Sequence, residues 1–143
     1  MPQPRIALLS ALITALAIST PAAFAAGDVS AETTRPAGYQ PIAGDARFGE
    51  KLFTDTKLST NGMACASCHA NHGAYSDSFA KPYPHTVAMA KEQLGRKTVY
   101  LDEMVQGCMV MPMAAKPLPW NSKELAGLVA YLQIQQKSFK PSR

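Results

Sequence analysis

Apolar and polar positions follow three different patterns along this chain, and each predicts a different fate. Near the start, "IALLSALITALAI" (residues 6 to 18) is apolar almost without interruption, follows the single basic residue Arg5 and precedes "AFA" at 23 to 25. A basic n-region, an apolar h-region and a small-x-small site in that order predict a cleaved export signal over 1–25. The run is short for a bilayer, so no membrane span is expected after cleavage. At the other end, "NSKELAGLVAYLQIQQK" (121 to 137) puts Leu125, Leu128, Val129 and Leu132 at helical spacing. Asn121 is its predicted N-cap, with Glu124 three residues on as in a capping box and Trp120 stapled onto Leu125. Two more helices are predicted over 85–97 ("HTVAMAKEQLGRK") and 98–107 ("TVYLDEMVQG"), the second stopped by Gly107. The third pattern is irregular: residues 26–43 read as a flexible leader, and "ANHGAYSDSFAKPYP" (70 to 84) as loop.

Composition narrows this picture. The 143 residues lose 25 with the signal, and the remaining 118 suit one domain with one core. Without Arg5 the balance is thirteen basic against ten acidic residues, or +3, with the lysines scattered. That excludes the dense basic patch a nucleic-acid partner requires. Three cysteines are an odd number for an exported chain, where thiols are ordinarily paired, so at least one needs another explanation.

Residues 65 to 69 read "CASCH", the C-x-x-C-H attachment site of haem c. Two thiols about a turn apart can each add to a haem vinyl group, and the adjacent imidazole then faces the iron. Cys65 and Cys68 are the predicted thioethers and His69 the predicted proximal iron ligand, giving one covalently attached haem c per chain. A thioredoxin-type motif would need a βαβ setting, and a zinc site would need a second ligand pair; the sequence offers neither. Export agrees with this chemistry, because haem c is attached outside the cytoplasm.

With this motif the chain resembles the class I monohaem cytochromes c, an all-α fold of three to five helices around one covalently bound haem. The resemblance covers a domain over 44–137, leaving a short C-terminal tail, 138–143. In "DARFGEKLF" (45 to 53), Gly49 and Phe53 match the family's N-terminal helix, and Leu128 and Tyr131 match the residues that receive it. A glycine there lets two helix backbones approach closely. The family also places near Pro82 or Pro84 a carbonyl neighbourhood that accepts the proximal imidazole's second N–H. The lead-in "LSTNGMACASCH" is similar to that of bacterial dihaem peroxidases, but a single attachment site argues against peroxidase activity.

"GCMVMPM" (107 to 113) packs four sulfur side chains into six positions where the family presents its distal ligand. Met111 precedes a proline, as family ligands often do, while Met113 has the more usual spacing to the last helix. Cys108 offers a different ligand. From here to the terminal helix the chain is similar to the haem domains of the Sox thiosulfate-oxidising subunit and of thiosulfate dehydrogenase, in which a cysteine at the matching position ligates iron. A thiolate lowers the iron's potential and methionine raises it. Met113, Met111 and Cys108 all remain distal-ligand candidates, with His85 or an open site behind them; methionines beside a haem can also be simple packing.

These readings imply a periplasmic cytochrome that passes single electrons between redox protein partners, a donor enzyme and an acceptor oxidase or cytochrome. The alternative is a haem-bearing catalytic subunit of thiosulfate or sulfur oxidation that uses Cys108. No triad or carboxylate pair supports independent catalysis, so the chain reads as a carrier more than an enzyme.

Overall fold

The computed structural model describes residues 28–142, so the expected signal over 1–25 and the first leader residues lie outside it, as does Arg143. Six α-helices are present among the described residues: α1 (Val29–Glu32), α2 (Ala46–Phe53), α3 (Ala66–His69), α4 (Ala88–Leu94), α5 (Leu101–Val110) and α6 (Lys123–Ser138). Three 3₁₀ turns join them, at Thr56–Leu58, Ala70–His72 and Asp77–Ala80. The all-α class expected from the sequence is the observed one.

The frame is the crossing of α2 and α6. Asp45 caps α2, accepting from Arg47 N at 2.9 Å and Phe48 N at 3.3 Å, and Leu52 and Phe53 turn inward. Gly49 lies against the backbone of Gly127, so the close approach expected at Gly49 is made glycine to glycine. Phe53 packs beside Tyr131 with ring centroids 5.2 Å apart, and Leu125 and Leu128 are fully buried beneath them. The α6 cap falls one residue later than predicted: Ser122, not Asn121, accepts from Leu125 N at 3.2 Å. Either short polar side chain can serve at this position, and the turn closed by Ser122 N on Pro119 O decides it.

Two further predictions change. The helix expected over 85–97 is trimmed to α4 because His85 and Val99 pair as a β-bridge, with N–O distances of 3.3 and 3.0 Å. Gly95, at φ +66°, ends α4 in the left-handed conformation that glycine favours. Gly107, by contrast, stops nothing. It is buried inside α5 with helical geometry, in a gap between Leu94 and Met111, and the helix runs on through Cys108 to Val110. The turn after it is closed by Met113 N on Cys108 O and Ala115 N on Met109 O.

The leader expected to be flexible is tied down from Asp28 onward. Thr33 is fully buried, the Arg35 guanidinium grips Asp102 on α5, and Tyr39 meets Trp120 edge-on at 5.1 Å. Composition could not reveal this, because the partners lie more than sixty residues away in sequence. The tail also packs: Phe139 stands edge-on to Phe79 at 5.4 Å, and Ser142 N donates to Asp77 at 2.9 Å.

Candidate functional site

The attachment motif forms one short helical turn. His69 N and Cys68 N both donate to Cys65 O, at 3.0 and 3.3 Å, and Ser67 Oγ accepts from Ala64 N at 3.0 Å. This turn brings Cys65, Cys68 and His69 onto the wall of one cavity of about 330 Å³. None of the three cysteines is in a disulfide.

The other walls come from helices already described. Leu101, Met104, Val105 and Cys108 recur on α5 at offsets of three, four and seven, so one face of that helix lines the cavity. Leu128 and Leu132 of α6 and Phe53 of α2 complete an apolar lining. The loop after α5 is held in place by Gln106, itself fully buried, which pairs both ways with Leu118 at 2.6 and 2.8 Å. Asn61 Nδ2 donates to Pro112 O at 2.9 Å and Thr60 Oγ1 to Ala114 O, tying that loop to the segment ahead of the motif.

His69 is oriented from two sides. Its Nδ1 donates to Gly73 O at 3.0 Å, and its ring stacks on Tyr75 with centroids 4.1 Å apart. A carbonyl can only accept, so the proton sits on Nδ1 and the Nε2 lone pair is available to a metal. Burial holds the imidazole below its ordinary pKa, which favours the neutral, ligating form. The acceptor is therefore Gly73, four residues on, and not the neighbourhood of Pro82 or Pro84; Pro82 O instead accepts from His85 Nδ1 at 3.1 Å. The local fold explains the difference, since residues 70–74 double back through left-handed Asn71, His72 and Ala74.

The four sulfurs of 107 to 113 separate, with Met109 buried in the main core and not in the cavity wall. Cys108 faces the cavity from α5, and its thiol is pushed up to about 12, first by burial and then by the nearness of Cys65 and Cys68. Met113, 3% exposed, also lines the cavity. Met111 does not: it packs against the separate cluster of Ala90, Leu94 and Val99. His85 is likewise outside the cavity wall.

Some wall residues were not foreseen. Met104 precedes Cys108 by one turn and would have been legible had the helix been carried through Gly107. Met63 stands just ahead of the motif, and Tyr75 and Tyr83 come from a loop in which the sequence carries no periodic signal. The Tyr75 hydroxyl is buried without a hydrogen-bond partner.

These residues fit a covalently held haem. Two thiols and an imidazole share one turn, sulfur side chains line the same cavity from α5 and its loop, the walls are apolar, and an unpaired phenol awaits an acceptor. Among the described residues, no three His, Cys, Asp or Glu side chains gather as a site for a bare metal ion. The cofactor is haem c, attached through the C-x-x-C-H motif at Cys65 and Cys68. A family model described as SoxA/TsdA, cytochrome c domain, matches residues 48–140. No curated protein and no solved structure matches the chain.

Proposed function

The chain belongs to the SoxA/TsdA cytochrome c family, and from that premise we propose that it is an exported electron carrier of sulfur-compound oxidation in which His69 and Cys108 would ligate the haem iron. When bound, haem c supplies a centre that takes up and releases single electrons. The chain does the rest. Cys65 and Cys68 fix the group covalently, and His69 presents Nε2 while Gly73 and Tyr75 hold its ring. The apolar face of α5 and the leucines of α6 give the cavity a low-dielectric wall, against which charge changes are felt strongly.

The observation that carries this reading is the place of Cys108. It faces the cavity from a rigid helix, and its counterpart in the resembled Sox and thiosulfate dehydrogenase domains ligates iron. Its half-buried thiol, set in the apolar cavity wall, is hard to ionise alone, whereas a bound metal would take it as thiolate. Thiolate ligation sets a low potential, suited to passing electrons onward. Met113 is the second candidate, because it too is buried in the cavity wall.

A catalytic role is the alternative, favoured by the same sulfur. Joining two sulfane sulfurs releases two electrons, and one haem accepts one, so a redox partner must take the second. A carrier working with a donor enzyme and an acceptor oxidase or cytochrome satisfies this count directly. Residues 1–25 and the site of haem c attachment support a periplasmic location. None of the described helices is long and apolar enough to cross a membrane.

The test is the visible and near-infrared absorption of the oxidised, haem-loaded protein beside Cys108→Ser, with thiosulfate turnover assayed in both. A thiolate-type spectrum that disappears in the Ser variant supports Cys108 ligation. A methionine charge-transfer band that survives in Cys108→Ser overturns it in favour of Met113. Thiosulfate turnover by the chain alone would overturn the carrier assignment.

A further inference from the structure

Residues 28–39 lie ahead of the matched family residues and form a strap across the N-terminal end of α5. Arg35 Nε donates to Asp102 Oδ1 at 2.9 Å and Nη2 to Oδ2 at 2.9 Å, a two-pronged pairing. The same guanidinium lies 3.5 Å over the Tyr100 ring, and Arg35 N donates to Glu103 Oε1 at 3.0 Å. Glu103 Oε2 in turn accepts from Tyr100 N at 2.9 Å, and Asp102 Oδ1 from Glu103 N at 2.9 Å. A second arginine returns from the body: Arg96 donates to Thr33 O at 3.0 Å, to Thr33 Oγ1 at 2.8 Å and to Ser30 O, and stands 3.6 Å from Glu103.

Asp102 and Glu103 are 2% and 6% exposed. Two buried carboxylates at the start of a helix are tolerated only when paired and hydrogen-bonded on most of their lone pairs. The strap supplies those partners and so fixes where α5 begins. Leu101 and Met104, which flank the pair in sequence, already line the cavity, and Cys108 follows Asp102 by six residues on the same rigid helix. The strap also anchors Val29 against the Ala90, Leu94 and Val99 cluster, on which Met111 rests.

We propose that this strap, through Arg35 and its grip on Asp102, is a positioning device for the distal wall, setting the depth at which α5 presents Cys108 to the haem. The inference rests on the haem site proposed above. Arg35 is not among the residues that line the cavity; it acts through α5.

The experiment compares haem-loaded, full-length wild type with Arg35→Ala, Arg35→Lys and the control Asp45→Ala, which uncaps α2 without touching α5. The readouts are reduction potential, low-temperature electron paramagnetic resonance of the oxidised iron, and melting temperature. In Arg35→Ala, a second iron species is expected beside the wild-type one, with a displaced potential. Arg35→Lys, which keeps the charge but loses the fork, should fall between, and Asp45→Ala should melt earlier with the iron signals of the wild type. An Arg35→Ala protein that melts earlier yet keeps wild-type potential and resonance overturns the proposal, because the strap is then only a brace. If Arg35→Ala does not yield folded protein, Arg35→Lys, which loses the two-pronged grip on Asp102, is read by the same criteria. Absence of covalent haem from the wild type would defeat the site itself, a separate failure visible before any variant is made.

Discussion

Gly49 and Gly127 meet backbone to backbone where α2 crosses α6, with no room for a side chain from Gly49 against the Gly127 carbonyl. The contact is asymmetric. A Cβ on Gly127 would stand 3.2 Å from Gly49 N, Asp45 O and Phe48 Cδ1, a tight but less severe fit. Gly49→Ala should therefore cost about 3 kcal/mol, the upper end for overpacking, and Gly127→Ala about 1 kcal/mol. Thermal unfolding of the haem-loaded proteins checks the order; equal losses would mean the crossing relaxes freely.

Covalent attachment divides between two thiols. Cys65→Ser and Cys68→Ser should each retain haem through one thioether, whereas the double variant should release it into acidified organic solvent. Mass spectrometry of the matured chains reads this directly. Retained haem mass in the double variant would assign the linkage to Cys108.

Met111 and Met113, two residues apart, should behave differently. Met113 is buried in the cavity wall, so Met113→Ala should destabilise by about 3 kcal/mol. Met111 is half-buried on the smaller cluster, and Met111→Ala should cost about 1 kcal/mol with an unchanged haem spectrum. A spectral change in Met111→Ala would place its sulfur at the iron after all.

Alkaline pH should loosen the fold through Tyr83, whose phenol is pushed up to about 12 by burial and by nearby Cys108. The folded state holds this proton more tightly than the unfolded state does. Its contribution is complete below pH 10 and is lost as pH rises from 10 to 12, by at most about 3 kcal/mol. Tyr83→Phe should flatten the fall of melting temperature across that window; an unchanged slope would assign it to other groups, such as Tyr75.

Much of this was legible in the sequence because it is local. C-x-x-C-H states its own chemistry, the periodicity of Leu125, Leu128 and Leu132 is that of one helix face, and the glycine at 49 has a steric meaning. What was not legible depends on distant partners. Gly107 looked like a stop signal until Leu94 and Met111 packed beside it, and 26–43 looked loose until Asp102 and Glu103 arrived from the other half of the chain. The imidazole acceptor is not legible in the sequence, because Asn71, His72 and Ala74 adopt left-handed conformations that non-glycine residues rarely signal in advance.

The continuity of α5 through Gly107 bears on how easily the centre changes charge. A donor atom carried on a packed helix has little freedom to follow the iron as it alternates between ferric and ferrous. One carried on the turn beyond Val110, as Met113 is, can adjust with each cycle. Cys108 ligation would thus make a low-reorganisation junction, ready to hand on its electron with the coordination sphere almost where it began.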